Sequence, residues 1–127
     1  NGSLPLFLFG HSMGSFVVRA CISRNPKGLA GAVLCGTGNQ PRALSLAGRT
    51  LSRVIGAIRG ETYRSRLVDS LVIGAFSSAI EDARTDSDWI STDPAVVDAY
   101  LADPLSGQAF SVGAYATLTD LTAEVVT

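Results

Sequence analysis

The chain has 127 residues, of which 46% are hydrophobic and 17% charged, and its formal net charge is -1. That is enough apolar material for a core, and too little positive charge for an electrostatic footprint on nucleic acid. No apolar run reaches the ~18 residues of a membrane-spanning helix.

Leu4 to Phe9 is a short continuous apolar run between Gly2 and Gly10, the pattern of a strand buried on both faces. From Ser15 to Arg24 the residues Phe16, Val17, Ala20 and Cys21 recur at helical spacing, and Asn25-Pro26 ends the helix. Leu29 to Cys35 repeats the buried-strand pattern and runs into the loop cluster Gly36-Thr37-Gly38-Asn39. Strand, sharp turn, helix, strand is one βαβ unit, so the two strands are expected to be parallel. The two cysteines, Cys21 and Cys35, form no disulfide framework and no metal-ligand spacing. Their apolar neighbours predict buried free thiols, which favour a reducing compartment.

After Pro41 the pattern changes. Leu44, Ala47, Leu51, Val54, Ile55 and Ile58 form one apolar helical stripe, with Arg42, Arg49, Arg53 and Arg59 turned from its centre and Gly60 as a stop. A second helix is expected over about Tyr63 to Ile80. Asp93 is placed to cap a short helix that begins at Pro94 and runs to Ala102, and Phe110 to Val126 is expected to be helical again. Residues 42–66 carry six Arg against one Glu, or +5; residues 69–103 carry eight acids against Arg84, or -7. Two readings fit this. Either the apolar stripe packs normally and the basic and acidic stretches offset each other across a solvated face, which we favour, or the basic helix contacts anionic lipid.

Gly10-His11-Ser12-Met13-Gly14 fits G-x-S-x-G. In a nucleophile elbow this spacing has a physical reason: the strand-to-helix bend is tight enough that a Cβ two positions before or after the serine would collide with its neighbours. Ser12 is then the candidate nucleophile, held in a strained φ/ψ region. The backbone N–H of Met13, at the start of the helix, is the candidate oxyanion donor. Gly10, His11 and Gly14 shape the turn. The alternative is a glycine-rich turn with an incidental serine, or a phosphate-cradling loop. The chain lacks the Lys-Ser/Thr ending of a P-loop, and the glycine spacing does not match a dinucleotide fingerprint. A serine nucleophile needs a general base. His11 is the sole histidine. It adjoins Ser12 on a turn that throws the hydroxyl outward, so its ring is expected to lie away from Oγ. In α/β-hydrolases the acid and the histidine follow the serine in the chain, and no histidine follows Ser12.

Leu6 to Gly14 (LFLFGHSMG) resembles the nucleophile strand and elbow of α/β-hydrolases, in particular the bacterial monoacylglycerol lipase and lysophospholipase-like group, which is also described as serine aminopeptidase-like. Asp88-Trp89-Ile90-Ser91, Asp93-Pro94, Val97-Asp98-Ala99-Tyr100 and Asp103-Pro104-Leu105 resemble that group's cap signature, with departures at Thr92 and Ser106. Trp89 would anchor the cap core. The resemblance implies an α/β chain that is an internal piece of a larger hydrolase. Residues 1–40 would be part of the core, 41–109 the helical cap, and 110–127 a helix returning to the core.

By the same resemblance, the parent is a serine hydrolase of carboxylic esters, lipid-like ones such as monoacylglycerol or lysophospholipid, working through an acyl-enzyme on Ser12. Peptidase or thioesterase action on the same elbow is the first alternative, and a catalytically silent interaction module is the second. The triad acid and base are expected outside the chain, which alone would be inactive. No cofactor, metal or nucleic acid is implied. The expected partner is a small ester or lipid, with peripheral membrane contact through the cap as a further expectation. The expected location is the cytoplasm or the membrane periphery. Two parallel strands with partial helical cover leave apolar faces open, so the chain is expected to self-associate or to need the rest of the core.

Overall fold

The computed structural model describes residues 4–126. Its elements in chain order are β1 (Leu6–His11), α1 (Met13–Arg24), β2 (Leu29–Cys35), α2 (Arg42–Arg59), α3 (Arg66–Val72), α4 (Gly74–Ser77), a 3-10 turn (Asp88–Ile90), α5 (Pro94–Ala102) and α6 (Val112–Val125). β1 and β2 pair in parallel as the βαβ order requires, with Phe9 opposite Val33 and His11 opposite Cys35. Phe7 sits across from Gly31, and a Cβ there would come within 3.1 Å of the Phe7 ring. The chain divides into two compact units: residues 1–51 with 115–127, and residues 52–114.

In the first unit α1 packs on both strands and buries Ser15, Val18 and Ala20. Tyr115, Ala116, Thr122 and Ala123 on α6, and Val126 just after it, are also buried. The strands are less covered than their apolar runs predict: Phe7, Phe9 and Val33 keep 61%, 68% and 54% of their area in solvent. A parallel pair is covered on both faces only by a layer of helices on each, and α1 alone cannot supply two layers. The same lack of cover corrects the expectation for the thiols. Cys21 and Cys35 are free, as expected, but both are exposed. Three contacts tie α6 into this unit. Arg19 donates to the Gly38 carbonyl (2.7 Å) and to the Val125 carbonyl at the C-terminal end of α6, Arg24 pairs with Glu124, and Arg49 pairs with Asp120 at 3.0 Å.

Helix α2 overturns the favoured packing of its stripe. Leu44, Val54 and Ile58 are exposed, while the buried positions are the small residues Ser45, Ser52 and Gly56. The reason is that side chains of α6 pack closely against this face. A Cβ at Gly48 would come within 3.1 Å of Thr119, and one at Gly56 within 3.5 Å of Val112. Polar groups on the small-residue face are paired locally: Gln40 donates to Ser45 Oγ, and Thr122 Oγ1 hydrogen-bonds Ser45 Oγ at 3.0 Å. Among the described residues the buried hydroxyl of Ser52 has no partner.

In the second unit the expected helix over residues 63–80 is shorter and interrupted. Ser65 caps α3 by accepting from the Val68 N–H, and the helix is broken at Ile73, just before the poor helix former Gly74. Asp93 caps α5 by accepting from Ala95 N–H at 2.9 Å, with Pro94 in the first turn, as the sequence predicts. Trp89 stacks on Phe76 with ring centroids 5.1 Å apart. The Asp88 carboxylate accepts from the Thr85 hydroxyl and the Arg84 N–H, which fixes the turn that carries Trp89. Asp103 accepts from Leu105 N–H and Ser106 Oγ, both at 2.9 Å, so Ser106 closes the loop after α5. The first N–H groups of α6 find acceptors in the loop after α2: Val112 on Tyr63 O and Gly113 on Glu61 O.

Two measurements check this account. The Arg24 hydrogen bond holds the Glu124 carboxyl below its ordinary 4.5. The stabilisation from the pair is therefore complete above that value and lost as pH falls through the lower, folded-state value. An NMR titration should place Glu124 below 4.5 in the native protein and return it to its ordinary range in Arg24→Ala. Ser52→Ala removes an unpaired buried hydroxyl and adds a better helix former, so it should raise unfolding stability by about 1 kcal/mol in denaturant titration.

Candidate active site

The site is built where β1 passes into α1. Strand pairing carries the chain to His11, and the Ser12 N–H then donates to the Cys35 carbonyl at 2.9 Å, tying the bend to the end of β2. Ser12 takes φ 50° and ψ -119°, while Met13 is already the first residue of α1. A non-glycine residue at such φ stores strain of about 1–3 kcal/mol, so it persists only where its surroundings impose it.

Ser12 is the N-cap of α1, yet its side chain makes no capping hydrogen bond. An ordinary N-cap serine folds its hydroxyl back onto the N–H of the second or third helical residue. Ser12 is exposed.

The flanking glycines are not equivalent. A Cβ at Gly10 would lie 2.4 Å from the Gly14 carbonyl oxygen and 2.8 Å from Ser15 Cα, both backbone atoms that cannot move aside. A Cβ at Gly14 would meet nothing within 4 Å. The expected steric need for glycine on both sides is therefore corrected: it holds at Gly10 and not at Gly14.

His11 is exposed on the last position of β1. Its ring lies beside Gly36, where a Cβ would stand 3.6 Å from Nε2. Among the described residues the imidazole makes no hydrogen bond to Ser12, so it does not serve Oγ as a base in this arrangement. Met13, 46% exposed, begins α1, and a first helical residue has no carbonyl within the helix to receive its N–H. The first turn of α1 holds no acidic residue, so the positive end of the helix is left to act on a charge developing near Ser12.

Ser15 was not singled out from sequence. It is completely buried, and its Oγ donates to the Ser12 carbonyl at 2.6 Å while its N–H donates to the same oxygen at 2.9 Å. The available signal was a small hydroxyl residue three positions after Ser12, a spacing that is common in helices for other reasons. Arg19 was missed likewise; it holds the loop after β2 by Thr37 Oγ1 and Gly38 O. The second unit contains a separate broad cleft of about 870 Å³, with Arg66, Asp69, Ile73, Trp89 and Tyr100 in its lining and no residue of the elbow among them. Among the described residues no cluster of three or more His, Cys, Asp or Glu could hold a metal ion.

A strained serine at a strand-to-helix bend, with its hydroxyl free and a helix N-terminus behind it, is the arrangement of an α/β-hydrolase nucleophile. The family model described as serine aminopeptidase, S33, matches residues 1–127. The chain belongs to this family. Its fold agrees: a highly thermostable carboxyl esterase from Bacillus coagulans, solved in complex with glycerol, superposes with a TM-score of 0.84 at 25% sequence identity. That match covers 98% of this S33 chain and 40% of the esterase. No curated protein gives a significant match.

The unequal surroundings of the two glycines set a test for this S33 elbow. Gly10→Ala should cost several kcal/mol in denaturant unfolding, or yield no folded protein, because the clash is with backbone. Gly14→Ala should be tolerated and should gain up to about 1 kcal/mol from helix propensity.

Proposed function

We propose that the protein of which these residues form the elbow is a serine hydrolase of carboxylic esters, with Ser12 as nucleophile. The observation that carries the reading is the free, exposed Ser12 hydroxyl on a strained bend that otherwise would cap its helix. Family membership and the fold shared with a carboxyl esterase support it.

In the reaction, Ser12 Oγ bonds to the acyl carbon as its proton passes to a general base. The carbonyl oxygen, now negative, sits against the Met13 N–H and the N-terminus of α1. Collapse of the tetrahedral intermediate expels the alcohol, which takes the proton back from the base, and leaves the acyl group on Ser12. Water then repeats the sequence and releases the carboxylic acid. The base and its orienting acid come from outside these 127 residues, because the one imidazole, His11, is turned to Gly36. Residues 41–109 act as the cap. The substrate is a lipid-like ester, monoacylglycerol or lysophospholipid, a class suggested by the resemblance of residues 6–14 and 88–105 to that group.

A second reading keeps the elbow and changes the bond. The family description as a serine aminopeptidase favours hydrolysis of an aminoacyl amide, since the same nucleophile and oxyanion donor serve both carbonyls.

The test uses the full-length protein. A fluorophosphonate should label it at Ser12, and Ser12→Ala should abolish labelling and lower kcat by roughly 10⁴-fold or more. Matched p-nitrophenyl acyl esters and aminoacyl p-nitroanilides then separate the two readings: faster ester turnover supports esterase action, and faster anilide turnover the peptidase. A folded protein that takes no label, or takes it equally after Ser12→Ala, would overturn both.

A further inference from the structure

We infer that Ser15 is a positioning residue for the oxyanion donor: through its buried hydroxyl it holds the Ser12–Met13 peptide plane so that the Met13 N–H faces the reacting carbonyl oxygen. The inference rests on the reading of Ser12 as nucleophile and deepens it.

The argument begins with the peptide group. The Ser12 carbonyl and the Met13 N–H belong to one planar unit, and the peptide is trans, so the two groups point in opposite directions. Whatever fixes the carbonyl oxygen therefore aims the N–H. That oxygen receives two bonds from one residue: Ser15 N–H at 2.9 Å and Ser15 Oγ at 2.6 Å. The backbone bond alone closes a single tight turn and leaves the plane free to rock about the Cα–Cα axis. The second donor, arriving from the side chain of a fully buried residue, removes that freedom.

Two further features make the hydroxyl matter to chemistry rather than to folding. Ser12 adopts φ 50°, so its peptide plane is not held by the ordinary helical minimum and needs outside support. A donor on the carbonyl oxygen also polarises the amide and strengthens its N–H as a donor to an anion, the cooperative effect of hydrogen bonds in series. Neither effect depends on the identity of the substrate. Both act on the charge that develops in the transition state and leave ground-state binding alone, which is the condition for altering kcat and not KM.

A purely structural serine would behave differently. Its loss would appear as lowered stability, with catalysis following only through unfolding. Alanine is a better helix former than serine and fits the same space, and the Ser12 carbonyl would keep its bond from the Ser15 N–H. Ser15→Ala thus deletes one hydrogen bond at the peptide plane and little else.

The experiment is Ser15→Ala in the full-length protein. It is read by kcat and KM on the preferred p-nitrophenyl ester, by inhibition constant for a trifluoromethyl ketone of matched acyl chain, and by Tm. Losing a whole oxyanion donor costs roughly 10²–10³-fold in kcat, and a donor left in place but poorly aimed costs less. The expected result is a kcat about tenfold lower, KM within about twofold of the native value, ketone binding weakened by about the same factor as kcat, and Tm unchanged or raised. Unchanged kcat and ketone affinity would overturn the inference. So would a variant that is unfolded, or whose kcat recovers at a lower temperature where it is folded, because either result makes the role structural. Failure of the Ser12 reading would show separately, as a native protein that takes no fluorophosphonate.

Discussion

The site depends on one backbone conformation. Ser12 sits at φ 50° and ψ -119°, which an L-residue adopts only when its neighbours leave no alternative. Two backbone hydrogen bonds hold it: Ser12 N–H to Cys35 O ties the bend to the sheet, and Ser15 N–H to the Ser12 carbonyl ties it to the helix, with Ser15 Oγ as a second donor to that carbonyl. Gly10 makes the conformation sterically accessible by leaving out a Cβ that would overlap the Gly14 carbonyl. Strain of about 1–3 kcal/mol is thereby held at a residue whose hydroxyl is released from the capping role that its position would otherwise give it.

Much of this was legible in the order of residues. The apolar runs at Leu4–Phe9 and Leu29–Cys35, with a helical pattern between them, have no other economical reading than a parallel βαβ unit. The G-x-S-x-G pattern lies at a strand-to-helix junction where a Cβ at Gly10 would overlap backbone. Helix ends marked by side-chain chemistry were also readable, as with Asp93 before Pro94 and Gly60 after α2, because capping depends on one or two adjacent residues. Trp89, read as an anchor, is found stacked on Phe76.

What sequence could not show were properties that depend on distant neighbours. The apolar stripe of α2 suggested its packing face, but the helix instead buries Ser45, Ser52 and Gly56, because small residues leave room for α6 side chains such as Thr119 and Val112 and the pattern of large residues is silent on that choice. Cys21 and Cys35 sit in apolar segments and are nonetheless exposed, since apolar neighbours in sequence do not supply cover in space. The glycine at position 14 belongs to the motif by spacing but lies in open space. Ser15 carries no signal of its own; only the distance from its Oγ to the Ser12 carbonyl distinguishes it from any other serine in a helix.

The chain belongs to the S33 family and spans 40% of the esterase whose fold it shares; Ser12 as nucleophile and the Met13 N–H as oxyanion donor are the roles proposed for it. The most direct check on the central claim is a crystal structure of the full-length protein after reaction with a fluorophosphonate. The account predicts phosphorus bonded to Ser12 Oγ, with one phosphoryl oxygen within hydrogen-bond distance of the Met13 N–H and Ser12 still at positive φ. An adduct on another residue, or a Ser12 adduct whose oxygens all point away from Met13 on a relaxed backbone, would contradict it.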